Sequence, residues 1–272
     1  MVCVHLAASP YNRAMVLLAG LDLAWTATHE TGVCLIEHDG FTRRLLRLDA
    51  VVLSPAEFAA MLGIHGPVVA AIDAPLIVGP ARTAERQLGT VYGRFKASAH
   101  SANRALLEST GRMAGPRLAG ELLGLGFELD PRALPPGSPR RHALEVYPHA
   151  AHVALFGLRE RIPYKRKRGR SVAFVRSQLC CYQQLLAGLV AETMPVLAAE
   201  PRLQAVLGPA ATAAGGTALK RLEDQLDAVT CALVAFLAWR DGGDRLELFG
   251  DVTQGHIAVP RRATSGRAPS SP

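Results

Sequence analysis

The chain has 272 residues, 49% hydrophobic and 19% charged, so it can bury a sizeable core and is not a disordered chain. Its net charge of +7 is concentrated: seven basic side chains (Arg159, Arg161, Lys165, Arg166, Lys167, Arg168 and Arg170) stand against the single acid Glu160 in one short stretch, the footprint of a phosphate-rich partner such as nucleic acid or else a solvated loop. Five cysteines without a CxxC pair speak against a disulfide framework or a zinc site, and no apolar run is long enough for a bilayer, so a cytoplasmic protein with no membrane partner is expected.

The first dozen residues read as a ragged start with no secretory signal. Residues 16–23 read as a buried strand carrying Asp22 at its end. Residues 32–37 and 42–48 read as two more strands across the turn His38-Asp39-Gly40, which makes an antiparallel meander. Ser54-Pro55-Ala56-Glu57 has the form of a helix start, with Ser as cap, Pro in the first turn and Glu at the third position. The helix should end at Gly63. Residues 68–73 are apolar on both faces, which predicts a central, parallel strand. Helical spacing follows at 81–93, 100–107 and 118–125, then a Pro/Gly/Arg loop over 130–141. A fifth strand is expected over 142–147 and a short helix over 149–157. Beyond the basic segment, 172–192 and 201–207 read as helices and 208–216 as an Ala/Gly linker. Residues 218–239 form the clearest helix, with Leu222, Leu226, Val229, Leu233 and Phe236 on one apolar face. A closing hairpin is expected at 246–249 and 256–259, and a disordered tail over 261–272. This order is that of an α/β ribonuclease-H-like fold, a mixed sheet of antiparallel meander plus parallel strands flanked by helices. It is expected as one domain over 1–260 with a helical insertion at about 80–140.

Carboxylates occupy unusual places in this pattern. Asp22 ends the first strand, Asp73 the fourth, and Glu145 lies in the fifth, although strands disfavour acids and buried unpaired charge is costly. Neighbouring parallel strands bring their ends to one edge of the sheet, where α/β folds build sites. Asp224 and Asp227, spaced i, i+3 at the start of the long helix, share one helix face. Acids gathered in this way repel unless a divalent cation is bound, and hard oxygen ligands without cysteine suit Mg2+ or Mn2+. The expected catalytic set is Asp22, Asp73, Glu145, Asp224 and Asp227, with Asp22, Asp73, Glu145 and Asp227 as metal ligands. Each acid alone has a structural explanation, from the helix dipole to simple turn chemistry at Asp73-Ala74-Pro75. Arg82, Arg86 and Lys165 are candidates for holding a phosphate, and His149 for positioning a water or a phosphate. Arg82 and Arg86 equally suit a surface helix, and His149 a polar helix start.

The segments Gly20-Leu21-Asp22-Leu23-Ala24-Trp25, Ala71-Ile72-Asp73-Ala74-Pro75-Leu76, Glu145-Val146-Tyr147-Pro148-His149-Ala150 and Asp224-Gln225-Leu226-Asp227-Ala228 resemble the motifs of domain-of-unknown-function family 429. The resemblance takes in Arg82, Glu85-Arg86, Phe156-Gly157-Leu158 and Tyr164-Lys165, and spans about residues 17–260; the Glu-Val-Tyr-Pro-His block is its most specific piece. Because that family is described as predicted ribonuclease-H-like nucleases, the resemblance implies metal-dependent cleavage of phosphodiester bonds in nucleic acid. The last Asp-x-x-Asp-Ala pair is similar to the closing helix of Holliday-junction resolvases, which implies Asp22, either Glu145 or Asp73, and the Asp224/Asp227 pair as ligands. Two other classes compete. An actin-like nucleotide-binding phosphotransferase also carries an Asp on its first strand, but generally has two domains and Gly-rich phosphate loops, which this sequence does not show. A non-catalytic binder of nucleic acid or protein would keep the basic segment without needing every acid.

Overall fold

Small and branched apolar residues make Val16–Asp22 (β1) the middle strand of a sheet. The computed structural model describes residues 15–26, 28–39, 42–209, 211 and 215–262; the ragged start, the meander turn at 40–41 and the expected tail beyond residue 262 lie outside them. β1 pairs antiparallel with Thr31–His38 (β2), which pairs antiparallel with Arg43–Val51 (β3). On its other side β1 runs parallel to Val68–Ile72 (β4), and β4 parallel to Arg141–Glu145 (β5). The order β3-β2-β1-β4-β5 is therefore a mixed five-stranded sheet, the meander on one side and the parallel strands on the other. Every residue of β4 is buried, as expected of a strand covered on both faces.

Pro55–Gly63 (α1) links β3 to β4 and opens with the predicted capping box: Glu57 N donates to Ser54 Oγ at 3.3 Å and Ser54 N to the Glu57 carboxylate at 2.7 Å. Between β4 and β5 lie Ala84–Tyr92 (α2), Arg104–Ser109 (α3) and Ala114–Gly124 (α4). After β5 come Pro148–Leu155 (α5), Val172–Thr193 (α6), a short Pro195–Ala198 (α7), Pro201–Leu207 (α8) and Thr217–Asp241 (α9). Leu246–Asp251 (β6) and Gly255–Pro260 (β7) close the described chain as an antiparallel hairpin. Arg202 of α8 donates to the carbonyls of Leu45 and Leu46 on β3, which protects the edge strand from pairing elsewhere.

Alternation along β1 divides the interior in two. Val16 and Leu18 pack with α6 and α9, while Leu17, Ala19 and Leu21 pack with Phe58 and Leu62 of α1 and with Leu118 and Leu122 of α4. Each large aliphatic side chain so buried contributes about 1.5–3 kcal/mol. α9 differs from the single apolar face expected of it: nearly every residue from Leu222 to Trp239 is buried. The reason is its position between the sheet on one side and α5, α6 and α8 on the other, so that Ala, Cys and Thr fill what would otherwise be a polar face.

Candidate metal centre

Strand alternation decides which acids meet. Asp22 follows Leu18 and Gly20 in parity, and Asp73 follows Val69 and Ala71, so both acids face α9. Two glycines bring that helix close. A Cβ at Gly20 would overlap the Ala228 carbonyl oxygen and the Ala232 nitrogen, and one at Gly32, which pairs with Asp22 across β1 and β2, would overlap the Asp224 carbonyl. The helix therefore lies directly on the strand backbones, and Asp227 comes down beside the two strand acids. One carboxylate oxygen from each of Asp22, Asp73 and Asp227 lies within 4.8 Å of the other two. Asp73 is anchored just past β4 by its amide, which donates to the Leu21 carbonyl at 2.8 Å.

Glu145 does not join this group. It has the parity of Ala143, whose side chain belongs to the opposite core, and it is clamped there by Arg82: Nη2 to Oε1 at 2.5 Å and Nη1 to Oε2 at 3.1 Å, with the Leu76 amide donating to Oε2 at 2.9 Å. Arg82 also grips Glu85 at 2.6 Å and the Ile77 carbonyl at 2.6 Å, and its side chain is only 2% exposed. The clamp ties the segment after β4 to β5, and Arg82 presents no face to a phosphate. Arg86 is exposed on α2.

Asp224 and Asp227 sit beyond the first turn of α9, which begins at Thr217, and not at the helix start as expected. The helix dipole fades beyond the first turn, so it does not account for them. Asp224 stands beside Asp22, with Lys220 Nζ at 2.5 Å; Lys220 also reaches Glu223 at 2.9 Å. The basic segment turns inward here. Tyr164 is fully buried, and the Lys165 Nζ lies 3.0 Å from Asp227 Oδ2. On the other oxygen, Asp227 Oδ1 accepts from Tyr164 at 2.6 Å and from Tyr182 at 3.1 Å. Tyr182 further shares a 2.6 Å hydrogen bond with Thr230, whose hydroxyl approaches His152 Nε2 at 3.4 Å. His149 is buried behind this group, its ring centroid 5.1 Å from that of Tyr164.

Electrostatics distinguishes the three aspartates. Desolvation pushes Asp22 up and Asp73 well up, with Asp227 adding to the first, Asp22 to the second, and Lys165 opposing both. Desolvation would raise Asp227 too, but the Lys165 ammonium and the Tyr164 hydroxyl hold it below the usual carboxylate range. Asp224 is pushed up to about 8 by desolvation and by Asp22. His149 is held well below its ordinary value by desolvation and by Lys165, so it is neutral at physiological pH. Three carboxylates with no sulfur fit a hard divalent ion, and Asp227 Oδ2, a buried acceptor with no hydrogen bond beyond its ion pair with Lys165, fits a ligand atom.

Tyr164, Tyr182, Thr230, Lys220, Glu223 and His152 were not among the residues expected at the site. A signal existed for three of them: Ile162 and Tyr164 interrupt the basic run with apolar side chains, Thr230 follows Asp227 by three and Lys220 precedes Asp224 by four on the same helix. Tyr182 comes from another helix, and no local pattern marks it.

Fold and site together define a mixed α/β protein whose sheet edge and buried last helix gather three aspartates. The chain belongs to the family described as protein of unknown function (DUF429), whose model matches residues 20–253. The matched segment contains Asp22, Asp73, Lys165 and Asp227. No curated protein and no solved structure was found to match the chain.

Proposed function

We propose that this protein is a divalent-metal-dependent nuclease of ribonuclease-H-like fold, in which Asp22, Asp73 and Asp227 hold Mg2+ or Mn2+. The observation that carries the reading is the convergence of those carboxylates, within 4.8 Å, from the central strand, the strand beside it and a helix 200 residues later. The order of antiparallel meander and parallel strands supports the fold assignment. When bound, the ion would act as a Lewis acid that eases ionisation of an attacking water and offsets charge on the phosphodiester oxygens. The reaction is hydrolysis: the water oxygen forms a new bond to phosphorus as the ester P–O bond breaks. Tyr164 and Tyr182 hold the Asp227 carboxylate in one orientation, and a fixed ligand loses no freedom on binding. Lys165 places an ammonium beside the trio, where a phosphate oxygen would otherwise meet only negative charge.

The test pairs metal uptake with cleavage. Calorimetric titration with Mn2+ should show binding that is lost in Asp22→Asn and Asp227→Asn, and the same substitutions should abolish cleavage of labelled single-stranded, duplex or branched substrates. Absence of cleavage on all of these with both metals overturns the proposal. The Lys165–Asp227 ion pair favours one rival, a non-catalytic nucleic-acid binder whose lysine neutralises its own acids. That protein would take up no Mn2+.

A further inference from the structure

A cleft of about 480 Å³ opens where the basic segment passes the start of α9. Arg166, Arg170 and Lys220 line it, facing one carboxylate, Glu223; the rest of its wall is the start of α9 at Gly216 and Thr217 and an aliphatic patch of Val172, Val175 and Leu219. Arg170 is partly committed to structure, because its Nη1 donates to the carbonyls of Pro163 at 2.9 Å and Lys165 at 2.7 Å and so holds the inward turn of the segment. Arg166 is exposed and follows directly on Lys165. Two residues link the cleft to the acids. Lys220 reaches Asp224, which stands beside Asp22, and Arg166 is next in the chain to the lysine that reaches Asp227. The first turn of α9, which has no side-chain cap, opens onto the same space and adds backbone donors.

We propose that this cleft seats one nucleotide of single-stranded nucleic acid, its phosphate on Arg166 and Lys220 and its base against Val172, Val175 and Leu219. In that position the neighbouring phosphodiester of the strand lies toward the aspartates. Only that last statement rests on the nuclease reading; strand binding itself does not. Three observations select this occupant. The positive charge calls for an anion. The volume is within the roughly 300–1,000 Å³ of small-ligand sites, enough for one nucleotide and too little for the face of a duplex. The aliphatic patch of Val172, Val175 and Leu219 offers no hydrogen-bonding side chains, so it covers the apolar face of any base and discriminates little between sequences.

The experiment uses the full chain in EDTA, where binding is separated from cleavage, and follows the fluorescence anisotropy of labelled twelve-residue oligo-dT and oligo-rU. Arg166→Glu should weaken binding roughly tenfold and flatten its dependence on salt. Val172→Glu removes part of the aliphatic wall and suits the first turn of α6, so the fold is retained while binding again falls roughly tenfold. Arg117→Glu, the same charge reversal at an exposed position of α4, should leave binding unchanged. Equal weakening by Arg117→Glu, wild-type affinity in both cleft variants, or tighter binding of a duplex of the same length overturns the cleft assignment. Mn2+ uptake and cleavage without dependence on Arg166 would sink the cleft and leave the metal reading standing. Arg166-dependent binding in a protein that never cleaves would do the reverse.

Discussion

Desolvation sets the carboxyl of Asp73 well above its ordinary range, and the charge of Asp22 beside it adds to the effect. A buried acid in that position is costly to the protein without a cation beside it. Asp73→Asn should therefore raise the melting temperature without metal, by the equivalent of about 1 kcal/mol, and abolish the further rise that the metal proposal expects from Mn2+ in the wild type. Thermal melts with and without Mn2+ give both readings. Glu145 is the opposite case. Its partner Arg82 is buried at 2% exposure and keeps Glu85 as its one carboxylate, beside the Ile77 carbonyl, if Glu145 is removed. Glu145→Ala should cost about 3 kcal/mol in urea denaturation while leaving the Mn2+ affinity near that of the wild type. Unchanged stability with lost affinity would instead place Glu145 among the ligands.

At the scale of elements, the centre depends on how closely α9 approaches β1 and β2. Gly20 and Gly32 are the points of contact, and any side chain there meets helix backbone, which cannot rotate away. Gly20→Ala should cost about 3 kcal/mol and lose Mn2+ binding, since lifting α9 withdraws Asp227 from the strand acids. Gly120 on α4 is the contrast: nothing lies within 4 Å of a Cβ built there. Alanine at that site should stabilise the protein by about 0.5–1 kcal/mol through helix propensity. Denaturation curves of the two variants, which differ only in where a methyl group is added, separate close approach from a general cost of losing glycine.

Across the molecule, among the described residues, burial holds His142, His149, His152 and His256 toward their neutral form. Desolvation lowers all four, His152 and His256 to about 4. Between the ordinary value of about 6.5 and those depressed values, the unfolded chain takes up protons that the folded one refuses, so this contribution to stability is complete above about pH 6.5 and is lost as pH falls toward 4. His256, whose two ring nitrogens have no hydrogen-bond partner among the described residues, gives the cleanest test. His256→Phe should show a flatter decline of urea midpoint than the wild type between pH 6.5 and 4. Parallel curves for the two proteins would mean that His256 takes no part in it.

What the sequence determines by itself is whatever local chemistry encodes. The meander, the capping box at Ser54 and Glu57, the doubly buried β4 and the closing hairpin all follow from turn residues, caps and hydrophobic runs, and they appear in the structure within a few residues of the predicted limits. The presence of Asp22, Asp73 and Glu145 near the strand ends is legible in the same way. Which of them meet is not. Around β5 both faces are buried, so Leu144 and Val146 on one side and Ala143 on the other leave no hydrophobic alternation to show that Glu145 faces away from α9. The inward turn of Lys165 is equally invisible, because a lysine in a basic run reads as solvated. Only the tertiary structure, by bringing carboxylates from residues 22, 73 and 227 together, supplies the negative charge that makes an ammonium stable there. Parity and close approach are properties of two elements at once, and that is why the three-aspartate centre is decided by packing rather than by any one segment.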